Sequence, residues 1–287
     1  MADFATIDGI RTQFEVHGQG MPLLMMAPSA FDASLSRWRV IGVWKEMRPL
    51  ETLADRFQVI AYDRREAGQS GGRIEPLTWE AYARHAKGML DHLGIKQALV
   101  LGGCMGSSLA MAFGAAYPQT CRGMLLHWPV GGYRWMLKAH AIFDTHIAFV
   151  KEHGLAATAQ RAAASGLFWN DPQCGPWSAA IASDPAFREK FVQQDQAAYL
   201  TLVEDIKARL FADTAPSGIT GAQLMALQVP GYIMPGDDPA HAYSASCAIR
   251  ELLPKSHLAP TMPPAQTPDV VRQWIVESGT QAWNTGA

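Results

Sequence analysis

Several features that would narrow the function at once are missing from this sequence. It has no basic run, and its net charge is only -2. Nucleic acid and anionic membrane surfaces are therefore not expected partners, because both demand a concentrated positive field. Its four cysteines, Cys104, Cys121, Cys174 and Cys247, form no CxxC pair and no zinc-like spacing. That excludes a disulfide framework and a sequence-legible metal centre, and a reduced, cytoplasmic setting is the expectation. No apolar run reaches membrane-spanning length, and Met1-Ala-Asp-Phe4 opens without the charged-then-apolar pattern of a secretion signal. Internal repeats and low-complexity tracts are also absent. No cofactor is implied; a small-molecule substrate is the expected partner, and homo-oligomerisation stays open.

Against these absences one stretch stands out, Gln97-Ala-Leu-Val-Leu-Gly-Gly-Cys-Met-Gly-Ser-Ser-Leu-Ala110. Ala98 to Leu101 reads as a buried strand, and small or helix-forming residues follow Gly106 as far as Tyr117. Gly-x-nucleophile-x-Gly between a strand and a helix is a nucleophile elbow, here with Cys104 where Ser usually stands. Flanking glycines suit a strained nucleophile whose side chain projects at a helix N-terminus, where free N–H groups favour an anion. The plain alternative is a glycine-rich turn around a structural cysteine.

The rest of the chain alternates strands and helices. Phe4–Ile7 and Thr12–Val16 form a starting hairpin around Asp8-Gly9. Pro22–Met26 is an apolar strand, followed by an amphipathic helix carrying Trp44, Leu50, Leu53 and Phe57, then a strand over 58–62. Thr78 caps a helix that runs to Leu93 and closes at Gly94. After the elbow come strands at Arg122–His127, Val229–Met234 and 256–259, and a last helix from Pro268 to about Ser278. Such alternation argues for a parallel sheet covered on both faces. From Trp128 to about Gly221 the strand rhythm stops and an aromatic-rich helical region takes over. The expected division is a core of residues 1–128 and 222–287 interrupted by a helical cap, 129–221.

With these elements in view the chain resembles the α/β-hydrolase fold superfamily over nearly its whole length. The resemblance rests on Gly102-Gly103-Cys104-Met105-Gly106, on Tyr62-Asp63-Arg64-Arg65-Glu66-Ala67-Gly68-Gln69-Ser70, and on Pro235-Gly236-Asp237-Asp238-Pro239. It implies an eight-stranded, mostly parallel sheet with a cap after strand six. It also implies an oxyanion hole from the N–H of Met105 and, where the family carries His-Gly-x, from Ser29 in Ala27-Pro28-Ser29. The acid position resembles Asp237 or Asp238; Asp238, preceding a Pro at the turn, is favoured. The family's general base falls on Thr261, which cannot serve, and no His follows His257.

Four other histidines remain as stand-ins. His241 lies three residues after Asp238 and reads either as the base or as a helix-start residue. His127 closes the strand beside the elbow, either lining the pocket or buried in the core. His140 and His146 belong to the cap. Trp128, Arg134 and Trp135 are further substrate-binding candidates, Arg134 as a carboxylate anchor. The cap aromatics otherwise read as packing.

Cysteine changes what an incomplete triad can do, because a thiolate is intrinsically nucleophilic and depends less on its base than serine does. The expected activity is hydrolysis of a small ester, lactone, thioester or activated C–C bond through an acyl-thioester. Dienelactone hydrolases, elsewhere in the superfamily, also carry Cys at the elbow. The alternatives are a lyase or acyltransferase on the same fold, or a binding protein with a degraded triad.

Overall fold

The computed structural model describes residues 2–165, 167–212 and 218–285. The hairpin is β1 (Asp3–Ile7) and β2 (Ile10–His17), followed by β3 (Met21–Met26). A 3-10 turn (Leu35–Arg39) leads to two short helices, α1 (Gly42–Met47) and α2 (Pro49–Thr52). They replace the single helix expected here. Arg48 adopts a left-handed conformation (φ 53°) before Pro49, which has no N–H to continue the helical ladder. Phe57 does not belong to that helix; it opens β4 (Phe57–Tyr62). Next come α3 (Trp79–His92), with the Thr78 side chain accepting from Ala81 N, β5 (Ala98–Gly103), α4 (Met105–Ala116) and β6 (Cys121–His127).

Between β6 and β7 (Gly231–Met234) the chain is helical: α5 (Tyr133–Ser165), α6 (Ser178–Ser183), α7 (Pro185–Val192), α8 (Gln196–Leu210) and α9 (Gly221–Ala226). Gly154, at φ 77°, kinks α5. Then α10 (Tyr243–Leu252), β8 (Ser256–Leu258) and α11 (Pro268–Thr285) complete the chain. The last helix runs seven residues past the expected Ser278, because Ile275, Gly279 and Ala282 continue one buried stripe.

The eight strands form one sheet in the order β1-β2-β4-β3-β5-β6-β7-β8, with only β2 antiparallel to its neighbours. Central β5 is buried along its length, as expected of a strand covered on both faces. Cores lie on either side of the sheet, one continuing into the helical segment. The C-terminal ends of β3, β5, β6 and β7 open on one edge, where such sheets bind ligands.

Candidate active site

The turn from β5 to α4 is strained as an elbow must be. Cys104 sits at φ 52°, ψ -125°, a region non-glycine residues avoid. A Cβ at Gly102 would strike the Gly106 carbonyl, and one at Gly106 would strike the Met26 carbonyl. Glycine at both positions is therefore required by contact, not only by the pattern. The turn is pinned by Cys104 N donating to His127 O (3.0 Å) and by Ser107 Oγ donating to Gly102 O (2.9 Å).

Beside it, the loop after β7 folds on itself. Asp238 Oδ1 accepts from Ala240 N (2.7 Å) and His241 N (2.9 Å), while Oδ2 meets His241 Nδ1 at 2.8 Å. Gly236 makes room for this, since a Cβ there would lie 2.5 Å from that of His241. A bridge between Gly131 and His241 ties the loop to the chain leaving β6. With Nδ1 committed to the carboxylate, the buried Nε2 is left to face Cys104. Among the described residues Nε2 has no other protein partner, and Cys104 acts on the ring by hydrogen bonding first and by charge second.

That environment sets the charges. Burial alone would push His241 down, but its interactions with Cys104 and the Asp238 carboxylate outweigh it and raise the imidazole to about 9. Burial likewise acts to raise Asp238, and the His241 ring and two backbone N–H groups overcome it, holding the carboxyl below its usual range. His127 shows burial winning: its imidazole falls to about 3, and the charge of nearby His241 pushes the same way. It stacks on Trp128 (5.7 Å, 3°) and meets Trp44 edge-on at 4.5 Å.

Cys104, His241, His127, Trp128 and Ser29 line one cavity of about 310 Å³. Thr261 is not among its lining residues; its carbonyl instead accepts from Gln266 Nε2 (2.8 Å). Gln266 also donates to Pro235 O and accepts from Trp128 Nε1 (2.6 Å), so it fixes the Trp128 wall. Met105 opens α4, and Ser29 sits at φ 126° across the cavity. Among the described residues neither backbone N–H has a protein acceptor, which leaves both free for an oxyanion. The Asp63 loop supports this side: Arg64 Nη2 donates to Ala30 O (2.7 Å), and the Asp63 carboxylate accepts from Leu35 N and Gln69 N.

Other expected site residues lie elsewhere. Arg134 is exposed on α5 and does not line the cavity. Trp135 is buried against Trp169 (4.9 Å) and Phe211 (6.0 Å), a packing residue. His140 bonds Phe211 O and His146 bonds the Tyr199 hydroxyl, both inside the helical segment. Asp237 is exposed, and His257 stacks on Tyr232. Sequence reasoning missed Gln266, Pro263 and the Ile41–Trp44 turn as cavity walls. Trp44 was visible only as an apolar helix position, and Gln266 carried no signal.

The fold can be matched to solved structures. The meta-cleavage product hydrolase CumD of Pseudomonas fluorescens IP01 superposes with a TM-score of 0.63 at 18% identity, covering 98% of each chain. An esterase of Thermogutta terrifontis gives 0.62 at 21% identity, covering 98% of this chain and 99% of that one. This chain has the α/β-hydrolase fold. A family model described as alpha/beta hydrolase fold matches residues 40–171. Among curated relatives, a putative carbamate hydrolase, RutD, of Azorhizobium caulinodans is 33% identical over 113 residues, 39% of each chain. A 2-hydroxymuconate semialdehyde hydrolase of Pseudomonas putida is 29% identical over 123 residues, 43% of this chain and 41% of that one. The chain thus matches about two fifths of the length of these relatives. Within the α/β-hydrolase fold, Asp238 and His241 here share one short loop after β7. Among the described residues no cluster of three or more His, Cys, Asp or Glu suits a metal ion, and no helix is long and apolar enough to cross a membrane.

Proposed function

We propose that this protein is a hydrolase of small acyl compounds that works through Cys104, with His241 as its proton-transfer group and Asp238 as the orienting acid. The observation that carries this reading is the His241 ring, held at Nδ1 by Asp238 and turned with Nε2 toward Cys104. The similarity to hydrolases of the same fold supports it.

In this mechanism the Cys104 sulfur attacks the acyl carbon, and the carbonyl oxygen gains its charge between the N–H groups of Met105 and Ser29. Each such donor contributes roughly 3 kcal/mol. As the tetrahedral intermediate collapses, the bond to the leaving group breaks and His241 Nε2 gives that group its proton. A thioester on Cys104 and a neutral imidazole remain. Forming the thioester removes the sulfur charge that held His241 protonated, so the imidazole becomes a base when a water must be activated. Water adds to the thioester carbon and gives a proton to Nε2; the carboxylic acid leaves and the sulfur–imidazolium pair is restored. Residues 129–221 are read as a helical cap on a core made of 1–128 and 222–287.

Intact-mass spectrometry during turnover of p-nitrophenyl acetate tests the reading. A transient 42-Da acetyl adduct on Cys104, lost in Cys104→Ala together with turnover, is the expected result. Turnover surviving Cys104→Ala would refute it, and an adduct stable in water but discharged by added amine or thiol would replace hydrolysis with transfer.

A further inference from the structure

The walls of the cavity say what kind of acyl group it takes. Apolar side chains dominate: Pro28, Ile41, Val43, Trp44, Trp128 and Pro263. Among the described residues no Lys or Arg lines it. The cations just before the Ile41–Val43 turn are committed elsewhere, Arg37 to Asp32 and Arg39 to Glu15 and Glu51. Lys45, just beyond the turn, is exposed, and Arg134 lies outside on α5. The imidazole at the reacting end, His241, is already paired with the Asp238 carboxylate at 2.8 Å. A carboxylate on the substrate would enter an apolar space without a free cationic partner, and an unpaired buried charge is among the costliest groups to desolvate.

Position points the same way. No cavity wall comes from α5 to α8. Of that segment's aromatics, Trp135, Phe143, Phe168 and Trp169 pack on one another or on Phe31, which meets Phe168 at 5.2 Å and Phe143 at 5.6 Å. The outer wall is the turn into α1, where Gly42 is exposed at φ 47° and Ile41 and Val43 are half-buried. At about 310 Å³ the space lies at the lower end for small-molecule sites.

We propose that the site accepts a neutral, compact, ring-bearing acyl group of the benzoyl or cyclohexanecarbonyl class, admitted past the Ile41–Val43 turn rather than beneath the helical segment, and rejects the carboxylated analogue. This rests on the Cys104 mechanism proposed above. Trp44 and Trp128 offer the flat apolar faces such a ring needs, and both are held rigidly, Trp44 edge-on to Trp38 at 4.7 Å and Trp128 by Gln266.

The test compares kcat/KM for p-nitrophenyl benzoate with that for the mono-p-nitrophenyl ester of terephthalic acid, each corrected for spontaneous hydrolysis. About 100-fold preference for the uncharged ester is expected; a preference of less than tenfold overturns the proposal. Val43→Arg places a cation at the entrance and is expected to shrink the ratio at least tenfold. An unchanged ratio in a folded Val43→Arg variant also overturns it. If p-nitrophenyl acetate leaves no adduct on Cys104, the underlying mechanism fails. If the adduct forms and the two esters react alike, only the substrate class fails.

Discussion

In the proposed mechanism Cys104, His241 and Asp238 divide the work of a triad, with the base on the loop that also carries the acid. Asp238→Asn keeps the shape of the loop but loses the carboxylate that orients His241, and kcat is expected to fall roughly 10²- to 10⁴-fold with KM little changed. Steady-state kinetics on p-nitrophenyl acetate measures it. His241 also sets a pH dependence. It holds its proton up to about 9, so an acid for the leaving group is present below that pH and lost above it. Esters with alkoxide leaving groups are therefore expected to react more slowly as pH rises through about 9, while p-nitrophenyl esters, whose leaving group needs no proton, do not. A pre-steady-state pH series on the two ester types separates them. At this scale the sequence was partly readable: Cys104, Asp238 and His241 could each be named. Their meeting could not, because Asp238 reaching back to its own loop N–H groups is a three-dimensional turn whose alternative, a helix start, has the same residues.

At the scale of elements, the loop after β7 depends on Gly236. Gly236→Ala would place a Cβ against the Cβ and carbonyl of His241 and displace the ring. The expected outcome is at least a tenfold fall in kcat while Cys104 still alkylates with iodoacetamide and the near-UV circular dichroism keeps its shape. A variant with full activity would show that His241 need not stand where it does. Most elements were legible because their signals are local: β5 from its apolar run, α3 from Thr78 and Gly94, β1 and β2 from Asp8-Gly9. Misreading fell where backbone chemistry overrides periodicity. Apolar spacing joins Trp44 to Phe57, yet Arg48 and Pro49 break the helix and Phe57 enters the sheet. Arg134 illustrates a different limit: a cation among aromatics looks like an anchor until the helix face that carries it is known.

Across the whole molecule, three histidines are buried neutral: His85 at about 3, His127 at about 3 and His146 at about 4. In the unfolded chain each takes a proton near 6.5. Between these values the unfolded state binds more protons, so their contribution makes stability fall as pH drops below about 6.5. His241 is the opposite case. Its raised value adds stability that is fully present below about 6.5 and lost as pH climbs through about 9. Urea unfolding across pH 4.5 to 6.5 is expected to show a slope shallower by about 1 kcal/mol per pH unit in His146→Asn than in the parent. Equal slopes would mean that His146 is charged in the folded protein. None of this could be read from the sequence, where a histidine beside an aromatic looks the same inside or outside a core.

The short span from Asp238 to His241 has a consequence for heritable change. When acid and base sit on separate loops, a drifting C-terminal region drags the base with it. In the proposed mechanism both are written into four consecutive codons, and the polypeptide beyond β8 supplies cavity walls, Pro263 and Gln266, rather than the base. On that reading acid and base are inherited together: a change that spares residues 236–241 and the Gly131 bridge to them leaves the pair intact whatever happens to the distal loop.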